Sequence, residues 1–397
     1  MKISTVPSAD EWIGGEFDIS QIKEVRIEDL LGRNTIVLNN EYVSKEIKGK
    51  SILITGAAGS IGSEIARQVV RYAPSKIVLL DQSETGLFEI ENEIRSVINL
   101  GERLTCFVAD VTNVNRIKDC FSLHQPEIVF HAAAYKHVPM MEVNVSEAIE
   151  CNILGTKNLA DISVEFGVER FVMISTDKAV NPTSVMGATK RAAEIYVQSL
   201  NEFLGTLDTS STRFITTRFG NVLGSNGSVI PIFKKQIKNG GPITVTHPDI
   251  TRYFMTIPEA CSLVLDAATM GVGGEIFVFD MGKSVKIVDL AKRMIQLSGL
   301  IEGKDIEISF TGLRPGEKLF EELLGDNENN MATHHPKIMI AKTREVDFSD
   351  VKSNFDNLER TLKEQRQEDK DLELVSQLKS FIIEYKSKAS RFESLDN

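Results

Sequence analysis

Cysteine is scarce in this chain and scattered: Cys106, Cys120, Cys151 and Cys261 sit singly in apolar segments, with neither Cys-x-x-Cys spacing nor histidines nearby. That pattern excludes a disulfide framework and a cysteine metal site, and it predicts reduced core thiols in a cytoplasmic protein. Long apolar runs are missing too. No stretch approaches the roughly 20 apolar residues that a membrane-crossing helix needs, and no basic-then-apolar leader opens the sequence, so a soluble chain is expected. Positive charge is also in deficit. The 45 lysines and arginines face 56 aspartates and glutamates, a net charge of −11, which argues against nucleic acid as a partner because phosphate binding needs a basic face. Low-complexity tracts are absent as well. What remains, 397 residues at 42% hydrophobic and 25% charged, is an ordinary globular composition long enough for two domains or one with a large insertion.

Strand and helix patterns alternate through the first half. Residues 1–48 mix acidic and apolar residues without sustained period and read as an N-terminal arm or short helices on the main body. Lys50–Thr55 then reads as a buried strand, and Gly56-Ala57-Ala58-Gly59-Ser60-Ile61-Gly62 turns into an amphipathic helix to about Tyr72. Strands follow at 76–80, 104–108, 127–130 and 170–174, with helical stretches near 85–99, 113–122 and 145–166. Such alternation with right-handed crossovers predicts an α/β fold, a Rossmann-type doubly wound parallel sheet over 49–225. Beyond 225 the pattern loosens around Gly240-Gly241-Pro242, Pro248, Pro258 and Gly273-Gly274. Residues 226–345 therefore read as a smaller mixed substrate-binding portion with some return to the core, and 346–397 as a charged helical tail, either solvated or an assembly surface.

The glycines at 56, 59 and 62 lie between a strand and a helix, the context in which such spacing binds a dinucleotide. The first permits the tight turn, the second lets backbone approach the pyrophosphate, and the third lets the helix pack on the strand. Ser60 and Ile61 open the helix, whose free N–H groups and positive dipole suit phosphates. Asp81 ends the second strand, where a carboxylate accepts from the adenine ribose hydroxyls and repels a 2′-phosphate, so NAD is expected over NADP. Asp110 and Val111 would flank the adenine, and Ala132, Ala133 and Ala134 leave room for ribose and pyrophosphate.

Polar chemistry concentrates in Ser175-Thr176-Asp177-Lys178-Ala179, directly after a buried strand, where open α/β sheets place their sites. Two arginines, Arg252 and Arg314, are the candidates for substrate phosphates, since a guanidinium pairs bidentately with phosphate oxygens. A structural salt bridge is the competing reading for Arg252. His334-His335 has no cysteine or further histidine near it, so no metal site is expected. His131 and His137 read as packed or hydrogen-bonded, and Met140-Met141 as core.

Six motifs carry a family resemblance: Thr55-Gly56-x-x-Gly59-x-x-Gly62, Ala133-Ala134-Tyr135-Lys136-His137-Val138-Pro139, Ser175-Thr176-Asp177-Lys178-Ala179, Met186-x-x-x-Lys190, Arg218-Phe219-Gly220-Asn221-Val222-Leu223-Gly224-Ser225 and Leu313-Arg314-Pro315-Gly316-Glu317-Lys318. In this order over about residues 30–342, they resemble the extended short-chain dehydrogenases that modify nucleotide sugars. Within that group they are similar to the bacterial UDP-N-acetylglucosamine 4,6-dehydratases of glycan and polysaccharide biosynthesis. Met186 stands where most relatives carry the tyrosine of a Tyr-x-x-x-Lys dyad. That resembles the larger members, which have an N-terminal membrane domain, and Ile27–Arg33 resembles the stretch following it. The chain is thus expected to be either the soluble part of a membrane-anchored enzyme, on the cytoplasmic face, or a soluble relative. A homo-oligomer is implied as well.

The resemblance implies a tightly bound NAD regenerated each cycle and a UDP-sugar substrate. It gives Asp177 the role of acid at sugar carbon 6, and Lys190 that of holding the nicotinamide ribose. Met186 has no exchangeable proton, so Asp177, directly or through Thr176 or a water, is expected to take the carbon 4 hydroxyl proton as well. Lys178 becomes the base at carbon 5, with a pKa expected to be depressed by burial and by Lys190. Asn221 is assigned to the pyrophosphate or sugar and Glu317 to a uridine ribose hydroxyl, with Lys136 and Thr244 as further substrate candidates. Adjacent side chains in an extended loop diverge, which counts against a mere Asp177–Lys178 ion pair. A nucleotide-sugar 4-epimerase and a non-catalytic NAD-binding scaffold are the competing functions.

Overall fold

The computed structural model describes residues 40–207, 212–324, 329–364 and 369–396, together with a short antiparallel pair, Ser4–Thr5 and Lys23–Glu24. Most of the expected N-terminal arm, including Ile27–Arg33, lies outside the described residues. The helix Asn40–Ile47 is its one long described element.

Nine strands make the central sheet: β1 Ser51–Thr55, β2 Lys76–Asp81, β3 Leu104–Val108, β4 Ile128–His131, β5 Arg170–Thr176, β6 Arg213–Phe219, β7 Ile276–Phe279, β8 Asn329–Ala332 and β9 Ile338–Lys342. Their spatial order is β3-β2-β1-β4-β5-β6-β7-β9-β8. β1 to β7 run parallel, and β9 and β8 complete one edge antiparallel. The order reverses between β1 and β4, so a crevice opens above their C-terminal ends.

Successive residues of a strand point to opposite faces, and the core divides accordingly. Leu53, Val78, Val129, Phe171 and Phe214 pack on one side; Ile52, Ile54, Ile77, Leu79, Ile128, Phe130 and Val172 pack on the other. Both faces are covered by helices, which is why these strands are almost wholly apolar. The stretch expected as one helix over 145–166 is interrupted by a π turn at Glu150–Leu154.

The tail departs from its sequence reading. Helices Phe348–Lys363 and Lys370–Phe381 bury Val351, Phe355, Leu358, Leu374, Val375 and Leu378 in the first of these cores, against helix Val185–Leu207. Their apolar stripes are spaced by charges, so the pattern looked solvated; tertiary packing covers it. The portion after 225 builds a separate small core from Ile230, Phe233, Ile243, Val245, Ile287, Leu290 and Ile295. Met141 is buried as expected, but Met140 is 57% exposed, because the four-residue helix Val138–Met141 turns it outward.

One buried carboxylate works against stability. Asp266, on helix Ile257–Met270, is 8% exposed, has an unpartnered Oδ2, and is pushed by burial to a pKa of about 6. The folded state thus holds its proton above the ordinary carboxylate range, and stability falls as pH rises from near 4 through 6. Asp266→Asn is expected to stabilise the fold at pH 7 by about 1–2 kcal/mol, the full linkage value being trimmed by solvent screening. Urea melts at pH 7 and pH 4 check this, the gain vanishing at the lower pH.

Candidate active site

The glycine-rich turn follows β1. Gly56 has φ +67°, and a Cβ there would lie 2.5 Å from Ala133 N, so backbone meets backbone between this turn and the alanine turn after β4. A Cβ on Gly62 would sit 2.2 Å from the Gly56 carbonyl oxygen, which forces glycine where helix Ser60–Val69 crosses the turn. No side chain caps that helix, leaving its first amides directed into the crevice. Asp81 Oδ2 accepts from Ala58 N at 3.0 Å and Oδ1 from Ser83 N at 2.9 Å. The carboxylate is thereby fixed beside the turn with lone pairs left over for hydroxyl donors. These residues fit a dinucleotide. Asp110 is exposed, its Oδ1 occupied by Thr112 N and Oγ1 at 2.9 Å. Val111 is buried, its side chain against Gly155, and its carbonyl accepts from Asn158 Nδ2 at 3.4 Å.

A cleft of about 690 Å³ runs from Gly56, Gly59, Ser60, Ile61 and Gly62 past Ala132 and Ala134 to the loops beyond 220. Met186 and Lys190 stand one turn apart on helix Val185–Leu207 and so share the face that lines it. Lys190 is 4% exposed, and burial lowers its pKa to about 8. Among the described residues nothing hydrogen-bonds to its ammonium, so it is ready for a ligand hydroxyl. Asn152, presented by the π turn, clamps the neighbourhood: its Oδ1 accepts from Tyr135 N at 2.8 Å, and its Nδ2 donates to Tyr135 O and Thr189 Oγ1, both at 3.0 Å. His131 is locked between Thr55 Oγ1 at 2.8 Å and Thr156 Oγ1 at 2.9 Å, as its apolar setting suggested. His137, by contrast, is exposed on the cleft wall.

β5 ends in a tight 3-10 turn, Asp177–Ala179, and this corrects two expectations. The side chains of Asp177 and Lys178 do not diverge. The turn curls them together, and Lys178 Nζ donates to Asp177 Oδ1 at 2.9 Å, where Thr176 Oγ1 also donates at 2.9 Å. Asp177 is 1% exposed while the Lys178 side chain is 21% exposed, so the carboxylate is buried and the amine is partly open to the cleft; Asp177 Oδ2 has no partner. The second correction concerns the amine. Burial lowers the Lys178 pKa, but Asp177 and Glu321 outweigh it and the net shift is upward. Lys190, expected to lower the Lys178 pKa, has its own pKa depressed instead.

Lys178 Nζ further donates to Asn221 Oδ1 at 3.0 Å and lies 3.5 Å from Glu321 Oε1. Arg252 takes the structural alternative: it is buried, donates to the Thr251 carbonyl at 2.8 Å, and pairs with Glu317 at 3.4 Å and Glu321 at 3.6 Å. Arg314 is more than half exposed and reaches Glu317 at 3.3 Å, leaving its guanidinium at the cleft mouth. Lys136 lines the wall, its ammonium lowered by surrounding protein and then by Lys178. Thr244 Oγ1 accepts from Gln236 Nε2 at 2.7 Å at the cleft rim. Behind the site, Lys386 and Lys388 amides donate to the Pro182 and Thr183 carbonyls at 3.1 and 3.2 Å, and Gly316 N to Lys388 O at 2.8 Å. The tail thereby ties the loop after Lys178 to the Arg314–Glu317 loop. Sequence reasoning missed this strap, Asn152 and Glu321, none of which stands out from its neighbours.

A Rossmann-type sheet, an uncapped glycine-rich helix start and a polar Thr-Asp-Lys turn facing a Met-x-x-x-Lys helix define a protein of the extended short-chain dehydrogenase/reductase class, of the nucleotide-sugar dehydratase and epimerase type. The chain belongs to the polysaccharide biosynthesis protein family, whose model matches residues 52–343. It is 52% identical over 362 residues to the capsular polysaccharide biosynthesis protein CapD of Staphylococcus aureus, covering 89% of this chain and 59% of that one. The chain spans less than two thirds of that relative's length. A UDP-N-acetylglucosamine 4,6-dehydratase (inverting) of Campylobacter jejuni is 33% identical over 309 residues, covering 77% of this chain and 86% of its own. Among solved structures, Pen from Bacillus thuringiensis superposes with TM-score 0.69 at 34% identity, over 76% of this chain and 89% of that one. Among the described residues no helix is long and apolar enough to cross a membrane, and no group of three or more metal-ligating side chains converges.

Proposed function

We propose that the chain catalyses the NAD-dependent 4,6-dehydration of UDP-N-acetylglucosamine to a 4-keto-6-deoxy sugar nucleotide. The observation that carries this reading is the ion pair of the buried Asp177 carboxylate with Lys178 at the end of β5, in a cleft where Met186 replaces the usual phenol. When bound, the dinucleotide supplies the hydride acceptor at carbon 4 and the hydride donor at carbon 6. Lys190 holds its ribose hydroxyls, and Asp81, which repels a 2′-phosphate, sets the preference for NAD.

Asp177 takes the carbon 4 hydroxyl proton and later delivers it to the departing carbon 6 hydroxyl. Once carbon 4 is a ketone, the carbon 5 proton is acidic, and Lys178 removes it as the neutral amine, after its ammonium has released a proton to solvent through the cleft. Arg314 faces the substrate phosphates. Arg252 acts one step back by fixing Glu317 and Glu321. The relative of 33% identity named for this reaction supports the assignment.

A 4-epimerase needs no acid–base pair for carbon 6, and the Asp177–Lys178 pair has no purpose in it. Incubating the protein with UDP-N-acetylglucosamine and following the sugar by proton NMR is expected to reveal a carbon 6 methyl doublet. A 4-epimer with an intact carbon 6 hydroxyl, or an unchanged substrate over a protein that holds NAD, would sink the reading.

A further inference from the structure

The loop between the Asp177–Ala179 turn and helix Val185–Leu207 is held from several sides, and the holds meet at one side chain, Glu142. Glu142 directly follows helix Val138–Met141 and is 4% exposed. Its Oε1 accepts at 2.8 Å from Val185 N, the first amide of the helix that carries Met186 and Lys190. Its Oε2 accepts at 2.5 Å from Ser390 Oγ in the tail. Among the described residues no salt bridge reaches it. A buried carboxylate without a cation is costly, and here the positive end of a 23-residue helix offsets the charge.

The Arg314–Glu317 loop rests on the same spot. Gly316 has φ +76°, and a Cβ there would lie 2.6 Å from Ser184 Cβ, 2.9 Å from Val138 Cγ1 and 3.0 Å from Glu142 Oε1. Its carbonyl accepts from Thr183 Oγ1 at 3.0 Å, and its amide donates to Lys388 O at 2.8 Å. Lys318, two residues on, donates its ammonium to Val180 O at 2.9 Å. Four segments distant in sequence thus converge on one carboxylate.

We infer that Glu142 is a positioning residue for the reaction: by joining the tail to the first amide of the Lys190 helix, with the Gly316 turn packed against it, it sets the spacing between Lys190 at the dinucleotide and Arg314 at the substrate phosphates. This rests on the dehydratase reading, which assigns those two ends. Glu142 does not line the cleft itself, so it acts through Val185 and Gly316. Nor is it needed to cap the helix. Ser184 Oγ already accepts from Gly187 N at 3.1 Å. What the Glu142 bond adds is direction, since two acceptors on one side chain fix two donors from different segments.

The test uses Glu142→Leu, Glu142→Gln and Ser390→Ala in the full chain with its NAD, each assayed with UDP-N-acetylglucosamine well below its own melting temperature. Glu142→Leu loses both acceptors. Its kcat is expected to fall about 100-fold, the loss that follows a misplacement of about 1 Å, and its KM to rise. Ser390→Ala frees the tail from Glu142 alone, while buried Phe392 and the Lys379–Asp396 pair keep the tail seated. In this variant KM should rise about fivefold with kcat within about twofold of wild type, because the Gly316 loop loosens and the helix start does not. Glu142→Gln keeps the shape and an acceptor for Val185 N, and the Ser390 hydroxyl can turn to accept from its amide. It should restore both constants to within about threefold of wild type. Hydrogen exchange at the Gly316 amide should quicken in Glu142→Leu and Ser390→Ala, and stay slow in Glu142→Gln.

A purely structural glutamate would lower the melting temperature and leave kcat and KM alone. Wild-type kinetics in folded Glu142→Leu therefore overturns the positioning role, as does a glutamine variant as slow as the leucine one. Should Glu142→Leu fail to fold, Ser390→Ala decides, and an unchanged KM there overturns it. Failure of the unaltered protein to form any keto sugar overturns the dehydratase reading, and this inference with it.

Discussion

Lys178→Met is expected to abolish dehydration, with turnover falling by about 10³-fold or more, while the folded state and the bound dinucleotide persist. The magnitude follows from losing a positioned base altogether, where general acid–base catalysis contributes 10²–10⁴-fold. Methionine keeps the length of the side chain, so packing in the 3-10 turn survives. Asp177 Oδ1 keeps its donor from Thr176 Oγ1 at 2.9 Å, although the carboxylate loses its closest cation. Asp177→Asn should be as damaging by a different route, since an amide neither takes the carbon 4 proton nor delivers it to carbon 6. The two variants are told apart in a single turnover with substrate. Lys178→Met should still oxidise carbon 4 and accumulate NADH absorbance, whereas Asp177→Asn should stall before it. Neither should release NAD, because the glycine-rich turn, Asp81 and Lys190 are untouched. Either variant dehydrating at near wild-type rate would remove the pair from the chemistry.

Much of this was legible because it is local. The turn between β1 and its helix must carry glycine at 56 and 62, for reasons of backbone contact that a spacing reveals. A strand buried on both faces is a run of apolar residues whatever else the protein does, and so the parallel sheet could be read in order. What escaped depends on residues far apart in the chain meeting. Glu321 lies 143 positions beyond Lys178 in the sequence, in a loop full of glutamates. Asn152 is one polar residue in a helix until a π turn aims it at Tyr135. The tail's charges suggested solvent, because a stripe of apolar residues at helical spacing reveals a buried face without naming what covers it. The sign of the Lys178 shift failed for the same reason. Sequence gave the burial that lowers it, whereas the second carboxylate that reverses it arrives from another loop.

The second large effect lies beneath the catalytic turn. Glu194, on the helix that carries Met186 and Lys190, is fully buried. It accepts from Arg218 Nε at 2.7 Å and Nη2 at 2.6 Å, from Ser175 Oγ at 2.6 Å and from Arg191 Nη1 at 3.2 Å. Burial raises the Glu194 pKa, but Arg218 and then Arg191 hold it below the ordinary carboxylate value. Arg218→Met leaves this charge with Arg191 as its remaining cation, so a loss of about 3 kcal/mol is expected, the lower end of the range for breaking a buried pair. The pH dependence has a definite sign. A carboxylate with a depressed folded pKa stabilises above its unfolded value and loses that contribution as pH falls through the folded one. Removing Arg218 cancels that contribution, so the deficit against wild type should be full at pH 7 and narrow on acidification below about pH 4. Urea melts at the two pH values measure it. Combining Arg218→Met with Glu194→Leu should recover much of the loss, since two apolar side chains replace both charges. Turnover should not recover with it. Ser175 stands two residues before Asp177, and without the Glu194 acceptor the end of β5 loses the anchor that sets the catalytic turn. A double variant that regains both stability and rate would show that the ion pair supports the fold alone.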